Sequence, residues 1–378
     1  MRIRKALGLA LLLGVLGPLT VQAVEIKVGG RIQNDWSLVA TGRDVEPVVG
    51  SLTTGTRFRR ARVLVEGTLD KRVEFRAEYE FAGGQAGFTD VYIGLKGIPG
   101  LGQLRVGHFK EPFSLEELTS ARFITFNERS LPNVFVPARN TGVMVGNAVL
   151  KNRLTWAAGV FRDTNTFGDG EGDGEYSLTG RLTGLPWYAD KGQRLIHVGV
   201  AFSQRKPDGD QVRFRLRPEV SIAPNFVDTR DIRVDGSRLL GAEGAVVFGP
   251  FSVQGEYITT TLDRVTGSDV TFAGYYVYAS VFLTGEHRPY RTSTGVFDRV
   301  KPRKSLADGG PGAFEIAVRY SWLDLDDQDI RGGRLADLTV GLNWYLNGNT
   351  AIKINYVRAD RRDVGTAQFL VTRFQVDF

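Results

Sequence analysis

The 378-residue chain has no cysteine, two methionines and three histidines. Without cysteine there is no disulfide framework and no thiol nucleophile. His108, His197 and His287 stand alone, with neither the spacing of a zinc site nor a Ser-His-acid order around them. These absences point away from an enzyme: no catalytic residues, no metal site and no cofactor are expected. Also missing, beyond the first 23 residues, is any apolar run near ~20 residues, which excludes a membrane-crossing helix. It does not exclude membrane strands, because they alternate and leave hydropathy near neutral.

The single apolar run lies at the start. Arg2, Arg4 and Lys5 precede residues 6–19, and Val21-Gln22-Ala23 follows with small residues where a signal peptidase reads. Residues 1–23 are therefore expected to be a cleaved export signal, leaving residues 24–378 as one domain. Removing the signal leaves 45 basic residues against 42 acidic ones. So small an excess gives no argument for a nucleic-acid partner, and any preference for anions must come from local arrangement. The acidic stretch 168–173 lacks the twelfth-position glutamate of a calcium loop and reads as a solvated loop.

What the chain does have is alternation. In residues 24–40, Ile26, Val28, Ile32, Trp36 and Leu38 share one face, and Glu25, Lys27, Arg31, Gln33 and Asp35 the other. Residues 71–81 set Val73, Phe75, Ala77, Tyr79 and Phe81 against Arg72, Glu74, Arg76, Glu78 and Glu80. The period recurs to the end of the chain. A soluble sandwich also alternates, but three further features favour a transmembrane barrel. Tight connections at 70, 97–100, 151–152, 249–250 and 347–349 take turns with long ones at 41–55, 111–140, 164–175, 204–236 and 324–332. Residues 286–312 break the rule by falling on the short-turn rim. Trp36, Trp156, Tyr320, Trp322, Trp344 and Tyr345 close apolar faces as interface girdles would. The chain ends on an alternating strand with terminal Phe378, which resembles the signal read by the barrel assembly machinery. Seventeen segments look extended, yet a single-chain bacterial barrel needs an even number. Demoting residues 211–218 to a loop leaves sixteen. The expected fold is all-β: a 16-stranded antiparallel transmembrane β-barrel, wide enough for an aqueous channel, with inward-folded constriction loops.

Chemistry concentrates in two places. Residues 107–142 form a long, phenylalanine-rich, proline-broken stretch, expected to fold into the lumen and narrow it. In it Ser114-Leu115-Glu116-Glu117 has capping-box spacing for a short helix. A second turn is expected from Asn127, ending before Pro132. Lys110, Arg122, Arg129 and Arg139 bracket the loop. Arg59 and Arg60 stand on the second strand, where at least one must face the lumen, and Asp90 stands on the fourth. The demoted segment carries Arg213, Arg215 and Arg217 on alternate positions. If extended, they point one way at about 7 Å intervals, a ladder of forked donors suited to phosphate oxygens. Ion pairs across the lumen, and the acid-rich third strand, weigh against a uniformly positive pore.

Several stretches resemble the phosphate-selective porin O and P family of Gram-negative outer membranes. They are residues 107–116 (GHFKEPFSLE), 122–126, 128–133, 217–219, 282–290, 312–315, 319–321 and 341–345. The resemblance implies a homotrimeric barrel in outer-membrane lipid and lipopolysaccharide. It also implies passive, anion-preferring transport, of phosphate or polyphosphate, through an arginine-lined path. Lys110, Arg129 and Arg217 carry over as path residues; Arg59, Arg60, Arg213 and Arg215 are added from geometry. The alternatives are a general diffusion porin with weak or no anion preference, and a structural or adhesive barrel.

Overall fold

The computed structural model describes residues 25–171 and 175–378; the expected export signal lies outside the described residues. Sixteen antiparallel strands form a closed barrel. They are β1 (Glu25–Thr41), β2 (Gly55–Leu69), β3 (Val73–Glu80), β4 (Gly87–Ile98), β5 (Gly102–Lys110), β6 (Arg139–Val149), β7 (Leu154–Arg162) and β8 (Tyr176–Ala189), then β9 (Arg194–Arg205), β10 (Ile232–Phe248), β11 (Phe251–Arg264), β12 (Val270–Phe282), β13 (Ala313–Asp327), β14 (Ile330–Tyr345), β15 (Thr350–Arg361) and β16 (Gly365–Asp377). Each strand pairs with the next, and β16 returns to β1. Gly30 and Phe378 exchange two backbone hydrogen bonds of 3.0 and 3.1 Å at the seam. No edge is left unpaired in the ring, which is what a sheet in hydrocarbon requires.

The two faces are inverted relative to a water-soluble protein. On β1 the apolar residues Ile26, Val28, Ile32, Trp36 and Leu38 are 43–65% exposed, while Arg31, Gln33, Asp35 and Ser37 are at most 3% exposed. Apolar residues point out and polar ones in on strand after strand, as hydrocarbon outside and water inside demand. Of the expected girdle residues, Trp36 and Tyr320 are exposed on the outer face. Tyr345 is not: it is buried inside against Phe282 and donates to Glu315 at 2.7 Å. Its outward neighbour Trp344 stacks on Phe314 instead.

Most connections fall where the residues place them. Asp70 and Lys71 both adopt left-handed φ, and Arg72 N–H returns to Leu69 C=O at 3.2 Å, the tight turn that suits two twisted strands. Residues 211–218 do belong to a loop, with Gln211–Val212 and Arg215–Leu216 only briefly extended. The expected long loop at 324–332 is instead a turn of Gln328 and Asp329. Asp326 pairs with Arg331 and Asp327 with Ile330, so the charged residues extend the hairpin beyond the apolar belt rather than ending it. Residues 283–312, the exception on the short-turn rim, fold into the lumen. Phe297 packs there with Leu115 of the 111–138 loop and with Leu195 and Val247 of the wall.

The inner face is not polar throughout. Towards the long-loop rim Leu323, Leu325, Leu335, Val357, Phe369 and Val371 point inward and are buried. Leu131 and Phe135 of the 111–138 loop, Val220 and Phe226 of the 206–231 loop, and Val45 and Leu52 cover them. This interior core seats the loops inside the tube.

Leu240 stands 59% exposed in the middle of β10. Leu240→Arg should lower folding stability by about 2–4 kcal/mol, the cost at mid-membrane, read by urea unfolding in lipid vesicles. A change under about 0.5 kcal/mol, the usual range for a water-facing site, would place that face in water.

Candidate functional site

Residues 111–138 cross the lumen and are tied down residue by residue. Ser114 Oγ accepts the Glu117 N–H at 3.1 Å and caps the Leu115–Leu118 turn, as its spacing predicts. From the wall, Glu256 accepts the Leu115 and Glu116 N–H groups at 3.1 and 2.7 Å. The second turn differs from expectation: it is a 3-10 segment, Leu131–Phe135, that begins around Pro132 instead of ending before it. Proline suits a helix start because its missing N–H would be unsatisfied there anyway.

Two buried wall arginines hold the loops by charge. Arg319 on β13 pairs with Glu116 at 3.0 Å and with Glu219 of the 206–231 loop, and donates to the Glu128 carbonyl at 2.9 Å. Arg373 on β16 pairs with Asp35 at 2.6 Å and with Glu128 at 2.9 Å. Lys353 on β15 donates to the Ile124 carbonyl at 2.5 Å.

The cations expected on the path divide into paired and unpaired. Arg59 and Arg60 both point inward, because the β1–β2 register slips at Gln33/Asn34 and leaves Arg59 as the extra residue of a bulge. Arg59 grips Glu128 with two bonds of 2.8 and 2.9 Å; Arg60 donates to Gln33 at 2.8 Å. Lys110 and Arg129 each lie 2.9 Å from Glu117. Burial alone would push the Glu117 carboxyl up, but Arg129 and Lys110 hold it down to about 2. Burial opposes Glu128 in the same way, and Arg59 and Arg373 keep it well below the usual carboxylate range. Both carboxylates are thus ionised at neutral pH. Asp90 is clasped by Arg139 at 2.7 Å and by Arg76 at 3.5 Å.

Two lumen cavities share Arg129. One, about 540 Å3, opens among Arg57, Arg59, Arg215 and Arg217. The other, about 430 Å3, is lined by eleven Arg and Lys side chains and two Asp. Arg60, Lys110 and Asp90 lie on the second. Arg213 lines neither. Asp228 takes its fork at 2.8 and 2.5 Å, and residues 213–214 interrupt the strand. Arg217, crowded by burial and by Arg57 and Arg59, has its pKa pushed down. The sequence reading did not include Arg291, Arg299 and Lys301, which residues 283–312 carry into the second cavity. Nor did it include the anchors Arg319 and Arg373, although inward-facing cations on otherwise regular strands were the available signal.

Arg319→Met should leave Glu116 and Glu219 buried without their partner and cost about 3–5 kcal/mol. Urea unfolding of the variant in vesicles checks this; a loss under about 1 kcal/mol would mean that the loops are held by packing alone.

Residues 26–378 match the family model for phosphate-selective porin O and P. Porin O of Pseudomonas aeruginosa is 26% identical over 383 residues, covering 90% of this chain and 84% of its own. An uncharacterized protein of Caulobacter vibrioides is 30% identical over 343 residues, covering 88% and 68%. Among solved structures, an anion-selective porin from Comamonas acidovorans aligns with a TM-score of 0.60 at 14% identity, over 94% of this chain and 100% of its own. The tube with its inward loops is therefore an outer-membrane channel, and the chain belongs to the phosphate-selective porin O and P family.

Proposed function

We propose that the channel passes anions passively and prefers phosphate or polyphosphate, with residues 111–138 as its constriction. One observation carries this reading. Every carboxylate lining the two cavities sits in an ion pair: Glu128 with Arg59 and Arg373, Glu219 with Arg319, Asp90 with Arg139, and Asp298 with Arg291. Arg57, Arg60, Arg215, Arg217 and Lys301 line the same cavities and pair with no carboxylate among the described residues. The surplus is positive along both cavities, and forked guanidinium donors match phosphate oxygens. Several weak sites in series let an ion enter and leave, whereas one tight site would trap it. The anion-selective porin from Comamonas acidovorans, which shares the fold, agrees with this reading.

A second reading, a general diffusion porin with mild preference, has one observation in its favour. Glu117 and Glu128 of the 111–138 loop neutralise Lys110, Arg129 and Arg59. Biogenesis through a cleaved signal and the barrel assembly machinery, and assembly as a homotrimer in lipopolysaccharide-bearing lipid, complete the proposal.

In planar bilayers, micromolar phosphate should reduce chloride current through the wild-type channel; lack of block at millimolar phosphate would favour the general porin. Arg217→Glu and Lys110→Glu should each shift permeability from chloride towards potassium. Arg213→Glu should leave it within error of wild type, because that side chain lines neither cavity. Equal effects of all three would sink the residue assignment.

A further inference from the structure

Inside the barrel, apolar side chains are normally covered. Among the described residues, four of the five buried apolar clusters include a side chain from an inward loop or from residues 283–312. The fifth does not. Phe109, Met144 and Phe161, with Tyr92 and Ala157 beside them, all belong to wall strands β4 to β7. What lies against this wall is a cavity of about 550 Å3. It extends from Lys96 and Gln103, near the short-turn rim, to Lys110 and to Pro112 and Leu118 of the 111–138 loop, and residues 291–296 flank it.

The same cavity carries cations. Arg105 lies over Tyr92, 4.1 Å from the ring centre, and 5.5 Å from that of Phe109. Its Nε has no acceptor among the described residues, and its carboxylate partner, Glu74, is a long 3.4 Å away. Lys96 and Arg291 line the cavity as well, and Asp90 is its one acid. An inorganic anion gains nothing from an aromatic and thioether wall. A flat ring bearing a carboxylate uses both halves: the ring leaves water against Tyr92 and Met144, and the carboxylate meets a guanidinium fork. The volume lies within the range of small-ligand sites.

We propose that this pocket is a side site for small flat-ringed organic anions of the aromatic carboxylate class, opening from the inorganic anion path. The inference rests on the anion-channel reading for its charge, and on the apolar wall beside the cavity for its ring selectivity. The test compares block of chloride current by benzoate and by acetate, which share a charge and differ in the ring. In the wild type, half-block should need at least tenfold less benzoate than acetate. In Tyr92→Ser and Met144→Gln channels that still conduct chloride, the ratio should fall below about threefold. Equal block by the two in the wild type, or a benzoate preference unchanged in both variants, overturns the proposal. Phosphate block measured on the same channels separates the two claims. If phosphate blocks and benzoate equals acetate, only the side site fails; if phosphate fails to block, the path assignment fails independently.

Discussion

Arg319 and Arg373 reach from the barrel wall to carboxylates carried by loops that have left the rim, and the rest of the interior depends on those pairs. A guanidinium buried beside no carboxylate is costly by several kcal/mol. The wall is therefore stable in this form only with Glu116, Glu128 and Glu219 in place. The dependence runs both ways, since those carboxylates are buried too. Pairing also uses up the negative charge of the carboxylates that line the two arginine-rich cavities. What remains facing the cavities is the unpaired remainder, and it is cationic.

The inside of the tube divides by height. Near the long-loop rim its wall is apolar and is covered by loop side chains such as Leu131, Phe135 and Phe226. Lower down it is polar and bears the arginines. This division gives the loops a packed seat on one side, and a network of charge-assisted bonds fixes their register. Residues 283–312 add a second support from the opposite rim, where Phe297 packs with Leu115. The patch on β4 to β7 is buried without a loop side chain in its cluster, and a cavity adjoins it.

Much of this was legible in the sequence. Alternation with period two gave the strands, the short and long connections gave the two rims, and the parity of the strand count correctly sent residues 211–218 to a loop. The capping-box spacing located the Leu115 turn. Other features were not readable, for physical reasons. A bulge cannot be seen from alternation alone, so the reading required only that one of Arg59 and Arg60 face inward, whereas the slip at Gln33/Asn34 turns in both. Polar residues at 324–332 looked like a loop because a strand that leaves the hydrocarbon no longer needs apolar residues. Phe369 and Val371 break the polar rule for the inner face because they pack on loops remote in sequence. Arg213 satisfied the spacing of a ladder, but the competing claim of Asp228 depends on a fold-back that spacing does not encode.

The central claim is that paired carboxylates leave a net positive, water-facing interior. The zero-current potential of the unmodified channel across a tenfold potassium chloride gradient tests it most directly. The account predicts a potential of the sign and near the size set by chloride. A potential of the potassium sign would contradict it, because it would mean that the unpaired arginines do not face the conducting water.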